Sequence, residues 1–224
     1  MTSKEKFTFL SSVMYHQPVV NAAVFNVLRS LKKINPGDTY YEAYLWHYKK
    51  RGNSFVDYYH LLWNMASQCP PASVLEIGCR TGISICQLLS AMEKPQDVRV
   101  VLCDVFADGF ISPEIVKMNL RHLNLPTDNI EFKVGSSLEI IPTISEKFDY
   151  ILVDGDHTPS VARQDLENVS GLLNPGGVLL FDDISKDGCD LVDVWGDFKE
   201  KHKDEFYFVP DNFDGKGVGC GVKI

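Results

Sequence analysis

The sequence predicts an α/β fold, a three-layer sandwich on a mostly parallel sheet. Three observations carry this. After residue 70, short runs rich in Val, Ile and Leu alternate with segments whose apolar residues recur at helical spacing. Two of the runs lead into carboxylates, Val153-Asp154-Gly155-Asp156-His157 and Leu179-Leu180-Phe181-Asp182-Asp183. A glycine loop, Glu76-Ile77-Gly78-Cys79-Arg80-Thr81-Gly82-Ile83-Ser84, joins the first run to the helix behind it. Open parallel sheets bind ligands at the carboxyl ends of their strands. The 28 residues from Asp154 to Asp182 suffice for one helical crossover, so the two acidic tips are expected side by side.

Each element has its own signal. Before residue 70 the periodicity is helical. Val20, Val24, Val27, Leu28 and Leu31 follow Pro18 and stop near Asn35-Pro36-Gly37. A second helix is expected from about Ser54 to Ser67, ending before Cys69-Pro70-Pro71. Ser73 to Ile77 reads as the first strand, and Ile85, Leu88, Leu89 and Met92 as one face of the helix after it. Val98 to Cys103 is the second strand. Ser112-Pro113 caps a helix through Val116, Leu120 and Leu123. Ile130 to Val134 and Tyr150 to Val153 are the third and fourth strands. Thr158-Pro159 opens a helix expected to end at Asn174-Pro175-Gly176-Gly177, with Val178 to Phe181 as the fifth strand. Leu191, Val194, Trp195, Phe198 and His202 mark a last helix. Glu205 to Val209 and Gly217 to Ile224 then form an antiparallel pair at one edge. The boundary near residue 70 divides the chain into a helical extension, 1–70, and the α/β domain, 71–224.

Composition narrows the function. With 224 residues, 45% hydrophobic and 23% charged, the chain is an ordinary globular sequence. Its net charge of −8 argues against a nucleic-acid partner. The run Lys199-Glu200-Lys201-His202-Lys203 reads as a solvated helix end. No stretch reaches 18 uninterrupted apolar residues, so no membrane span is expected. The run Phe7-Thr8-Phe9-Leu10 breaks at Ser11-Ser12 and His16-Gln17-Pro18, too early for a signal peptide, so the expected location is cytoplasmic. Six cysteines (69, 79, 86, 103, 189, 220) form no C-x-x-C pair and read as reduced, mostly buried thiols rather than a zinc site.

The glycine loop argues against two common ligands. A dinucleotide fingerprint needs glycines at 78, 80 and 83, and only Gly78 fits. A phosphate-binding P-loop needs Gly-Lys-Ser/Thr, which is absent. Instead, Glu76 lies two residues before the first glycine, and Asp104 follows the second strand, where an acid suits ribose hydroxyls. Two carboxylates around such a loop suit a cationic nucleoside better than a phosphate.

With these residues in view, the stretch from Val74 to Asp183 resembles the class I S-adenosylmethionine-dependent methyltransferases, with their Rossmann-like seven-stranded sheet and antiparallel C-terminal hairpin strand. Within them it is similar to the metal-dependent small-molecule O-methyltransferases of the catechol and caffeoyl-CoA type and to bacterial relatives with a D-G-D-H motif. That group's loop reads E-x-G-x-x-x-G-x-S, matched by Glu76, Gly78, Gly82 and Ser84. The resemblance implies that Glu76 sits near the methionine amino end, that Gly78 and Cys79 contact it through backbone, and that Ser84 binds its carboxylate. Arg80 and Thr81 complete the loop, and Arg80 stands where the group has an aromatic residue or glycine. Asp104, with Val105 beside it, is implied to hold the ribose. Gly135, Ser136 and Ser137 match a segment that contacts adenine, although Leu138 stands where the group has a polar residue.

The resemblance also implies a divalent cation bound by Asp154, Asp182 and Asp183. Three carboxylates favour a hard ion, magnesium first, then calcium or manganese. His157 lies three residues after Asp154, where those relatives place a lysine general base, so His157 and Asp154 are the candidate catalytic pair. Plainer roles exist: Asp183 as a cap, Asp154 serving the methyl donor alone, and His157 orienting Asp154 or capping the next helix. The other histidines (16, 47, 60, 122, 202) read as structural or surface residues. Tyr40, Tyr41, Tyr44, Trp46, His47 and Tyr48 either line an acceptor pocket or cover the sheet edge.

The resulting expectation is metal-assisted O-methylation of a small-molecule hydroxyl by in-line transfer. The competing readings are a metal-independent enzyme acting on N, S or a sugar hydroxyl, and a nucleoside-binding module without turnover. Assembly into a homo-oligomer is left open.

Overall fold

The computed structural model describes residues 1–13, 59–107, 111–186, 189–211 and 216–224. The helix expected over Val20 to Leu31, the stop at Asn35-Pro36-Gly37, the aromatic cluster Tyr40 to Tyr48 and the start of the Ser54 helix lie outside these residues.

Seven strands form one sheet in the order β3-β2-β1-β4-β5-β7-β6. They are β1 Ser73–Ile77, β2 Arg99–Asp104, β3 Ile130–Val134, β4 Phe148–Val153, β5 Leu173–Asp182, β6 Phe206–Phe208 and β7 Val218–Lys223. The first five run parallel; β7 pairs antiparallel to both β5 and β6. The chain therefore winds outward from β1 to β3, returns to β4, and winds the other way. That reversal places the tips of β1 and β4 next to each other, the position where open α/β sheets bind ligands.

Among the described residues, the helices are α1 Ser3–Val13, α2 Tyr59–Gln68, α3 Ile83–Ser90, α4 Pro113–His122, α5 Ser137–Ile140, α6 Pro159–Ser170 and α7 Val192–Lys201. The alternation of side chains along each strand divides the core in two. Val74, Val100, Leu102, Tyr150, Leu152, Val178 and Leu180 face a cluster with Leu10, Met65, Leu88 and Leu120 from α1 to α4. Leu75, Ile77, Val101, Cys103, Ile151, Val153, Leu179 and Phe181 face Leu166, Val194, Trp195 and Phe198 from α6 and α7. Strands buried on both faces explain why these runs are continuously apolar. The three-layer sandwich is thus the fold that the sequence predicts.

Most boundaries agree with the sequence to within two residues, and the Ser112 cap is in place, its hydroxyl accepting from the Ile115 amide at 3.3 Å. One segment differs. The helix opened by Pro159 ends at Ser170, not at Asn174-Pro175-Gly176-Gly177, and β5 begins at Leu173. The Phe148 amide bonds the Leu172 carbonyl (2.8 Å), and the Asn174 side chain donates to Asp149 (2.9 Å). These bonds draw the turn-like tetrapeptide into the sheet as an irregularity between the Phe148 and Tyr150 pairs. Helix α1 was not anticipated; Lys6 ties it to the Gly176 carbonyl at 2.7 Å.

Candidate active site

The loop after β1 is shaped by close approach. Gly78 has φ +84°, and a Cβ there would sit 1.9 Å from the Asp154 carbonyl oxygen. Only glycine fits, and its absent side chain lets the exit of β1 press against the exit of β4. The loop is pinned from both sides: the Gly78 amide bonds the Cys103 carbonyl, and the Asp154 amide bonds Ile77, each at 2.9 Å. Gly82, at φ +74°, precedes α3, and a Cβ there would meet Val116 at 2.6 Å. Between them Arg80 takes a left-handed conformation, φ +48°. Thr81 is buried, and its carbonyl accepts from the Asn119 side chain at 2.6 Å.

Asp104 stands at the tip of β2 facing this loop. Its two carboxylate oxygens accept from the amides of Arg80 and Phe106, each at 2.8 Å. A carboxylate clamped in this way keeps a fixed direction and retains lone pairs for further donors. Beside it the Gly135 amide bonds the Asp104 carbonyl at 3.0 Å, which draws the Gly135-Ser136-Ser137 turn to the same rim. Val105, Val134 and Leu138 are exposed around that turn. An apolar rim suits the flat face of a base.

Glu76 and Ser84, both implied to meet the methionine end, lie against each other behind the loop. Both are buried, and the Ser84 hydroxyl donates to the Glu76 carboxylate. Burial pushes Glu76 up to about 8, against the Ser84 bond and helped by the negative neighbours Asp154 and Asp104. Burial thus favours the protonated carboxyl near neutral pH. Ser137, the last residue of the Gly135-Ser136-Ser137 turn, donates to Asp165 of α6 at 3.0 Å. Asp165 is fully buried and desolvation raises it to about 6; sequence reasoning did not single it out.

At the tips of β4 and β5 the acids converge. One oxygen each from Asp154, Asp182 and Asp183 lie within 4.8 Å of one another. Asp183 is wholly buried in a left-handed turn, φ +62°, which swings its side chain back towards β4. His157 closes the group, with Nε2 2.7 Å from Asp183 and 3.4 Å from Asp154. Desolvation alone would lower this imidazole, but the two carboxylates outweigh it and raise His157 to about 9. Burial drives Asp182 well above the ordinary carboxylate range. Asp183 faces the same desolvation, yet His157 and Lys216 hold it below that range.

Two members of the group went unrecognised in the sequence. Lys216 reaches in from the segment before β7, with Nζ 2.6 Å from Asp183 and 3.1 Å from Asp182. Cys189 has its sulfur within 4.8 Å of ligand atoms of His157 and Asp183. Asp183 does not cap α7, whose N-cap residue is Leu191 and carries no side-chain cap. Nor does His157 cap α6; Asp156 accepts from the Thr158 amide there, at 2.7 Å.

Residues 75–184 match the family model described as a methyltransferase domain. Solved structures repeat the fold. An O-methyltransferase from Bacillus cereus in complex with SAH is 19% identical, with TM-score 0.58 and 96% of each chain covered. An SAH-bound methyltransferase from Podospora anserina is 16% identical, with TM-score 0.58 and 89% of this chain and 94% of that one covered. The N-methyltransferase NodS from Bradyrhizobium japonicum is 16% identical, with TM-score 0.51 and 77% and 97% covered. A search of curated proteins found no match. The matched segment runs from β1 to the turn after β5, and it supports the enzyme class that the resemblance implies, S-adenosylmethionine-dependent methyl transfer.

Proposed function

We propose that this methyltransferase moves the methyl group of S-adenosylmethionine to a hydroxyl oxygen of a small molecule, with the acidic centre at the tips of β4 and β5 as the reaction site. The observation that carries this reading is the convergence of Asp154, Asp182, Asp183 and His157 directly beside the loop that would cradle the donor. A donor with an activated sulfonium needs no further activation of its leaving group. What remains for the protein is alignment, exclusion of water and removal of one proton from the acceptor.

The residues fit these tasks. Gly78 to Gly82 would follow the methionine end through backbone amides. Asp104 would take the ribose hydroxyls, and the turn at Gly135 to Ser137 the adenine. Glu76, buried behind the loop, would balance the donor's positive end once it ionises. His157 would accept the acceptor's proton, and Asp154 would hold the imidazole in place.

The donor set also fits a hard divalent cation. Asp182 Oδ1 and Asp183 Oδ1 are buried and lack a hydrogen-bond partner among the described residues, a costly state for carboxylates unless an ion completes it. Asp154, Asp182 and Asp183 would hold that cation, which would supply Lewis acidity that lowers the hydroxyl's pKa. The test is transfer of labelled methyl from S-adenosylmethionine to a panel of catechols, phenols and sugar hydroxyls, with and without EDTA. The expected result is methylation of one class, a fall of about a hundredfold with EDTA, recovery with Mg2+, and a similar loss in Asp182→Asn. Undiminished transfer in EDTA would select the metal-independent reading, which the neutralising contacts of Lys216 and His157 favour.

A further inference from the structure

We infer that Lys216 is the resident cation of the acidic centre: its ammonium and a divalent ion are alternative occupants of the Asp182–Asp183 pair. The inference rests on the cation reading above and adds a residue that the reading does not contain.

The placement of Lys216 is built rather than incidental. Its carbonyl accepts from the Ser185 amide at 2.8 Å, and the next carbonyl, of Gly217, accepts from Ile184 at 3.4 Å. Gly217 takes φ +76°, and a Cβ there would lie 2.9 Å from the Ser185 nitrogen. These contacts extend the β5–β7 pairing past Asp182 and fix the backbone of Lys216 over the tip of β5. From there the side chain, 18% exposed, meets two carboxylates of which at most 1% is exposed. Carboxylates so far from solvent demand a positive charge within contact distance. Lys216 supplies it when no ion does, on the Oδ2 atoms of the two carboxylates whose Oδ1 atoms lack a partner among the described residues. A divalent ion bound by both aspartates would meet an ammonium about 3 Å from its ligands, and like charges at that range repel strongly. Entry of the ion therefore requires the lysine to swing out, and the enzyme's demand for metal is set against this tethered competitor.

The experiment is Mn2+ titration by calorimetry on wild type and Lys216→Met, with Lys216→Arg as the charge-retaining control. Alongside it, acetic anhydride labelling of wild type, read by mass spectrometry, measures access to Nζ with and without Mn2+. Expected are Mn2+ binding at least about tenfold tighter in Lys216→Met, little gain in Lys216→Arg, and several-fold faster acetylation of Lys216 in saturating Mn2+. The metal-free Lys216→Met protein should also melt roughly 10 °C lower, since Asp182 loses its ammonium partner and Asp183 keeps only His157. If the methionine variant is too unstable to titrate, the labelling result on wild type decides alone. Wild-type binding of Mn2+ with equal or weaker binding by Lys216→Met, or with unchanged Lys216 labelling, overturns the inference and leaves the cation reading standing. Absence of Mn2+ binding in both proteins overturns the two together.

Discussion

Gly78→Ala is expected to abolish donor binding and to destabilise the domain by 3 kcal/mol or more, an order-of-magnitude figure for strain and overlap together. The methyl group would sit 1.9 Å from the Asp154 carbonyl oxygen and 2.8 Å from the Gly155 Cα, both backbone atoms that no rotamer change can move. The left-handed φ adds its own penalty for any residue with a Cβ. Relief requires β1 and β4 to part at their tips, where the donor loop and Asp154 must meet. Urea unfolding would report the stability loss, and equilibrium dialysis with labelled S-adenosylmethionine the loss of binding. Gly171→Ala serves as the control, because a Cβ there meets nothing within 4 Å. A Gly78→Ala protein with wild-type stability would mean that the two strand tips are not in contact.

His157→Ala is expected to slow methyl transfer by about a hundredfold to ten-thousandfold while leaving donor affinity nearly unchanged, the range for loss of a positioned base. The pH dependence is the sharper signature. Asp154 and Asp183 raise the imidazole to about 9 over the penalty of burial, so near neutrality it is mostly protonated and unable to accept a proton. In EDTA, where the two carboxylates stay free to face the imidazole, the residual wild-type rate should therefore climb with pH and level off above about 9, and this limb should vanish in His157→Ala. Stability should run the other way. A histidine whose folded pKa exceeds its unfolded value near 6.5 contributes fully below that value and loses the contribution as pH rises through about 9. Urea midpoints measured from pH 6 to 10 should fall for wild type over this window more than for the variant. A rate already level at pH 7 would remove His157 from the proton transfer.

Much of this architecture was legible because it depends on local signals. β1 and β3 fall on the residues expected, β1 as a short, mainly apolar run and β3 as an alternation of apolar and charged residues. The acidic tips meet because one crossover separates their strands. What was hidden depends on long-range pairing. Asn174-Pro175-Gly176-Gly177 has the composition of a helix stop, yet the Phe148 amide's bond to Leu172 and the Asn174 side chain's bond to Asp149 carry it into β5. The left-handed turns at Arg80 and Asp183 have no sequence mark, because neither residue is glycine. Ser84 was matched to a ligand carboxylate by its place in the loop, but the pattern could not show that Glu76 lies within reach of its hydroxyl. Lys216 was invisible for a similar reason: a lysine in a turn-rich segment, 33 residues after Asp183, reaches the acids only through the β5–β7 pairing.

The measurement that bears most directly on the account is calorimetric titration of S-adenosylmethionine into wild type and Asp104→Ala at pH 7, repeated in buffers of different ionisation enthalpy. The account predicts that wild type binds with release of protons, as Glu76 ionises from its raised value of about 8. It predicts that Asp104→Ala binds at least about tenfold more weakly, through loss of charged hydrogen bonds to the ribose. Equal binding by the two proteins, or none by wild type, would contradict the placement of the donor on this rim.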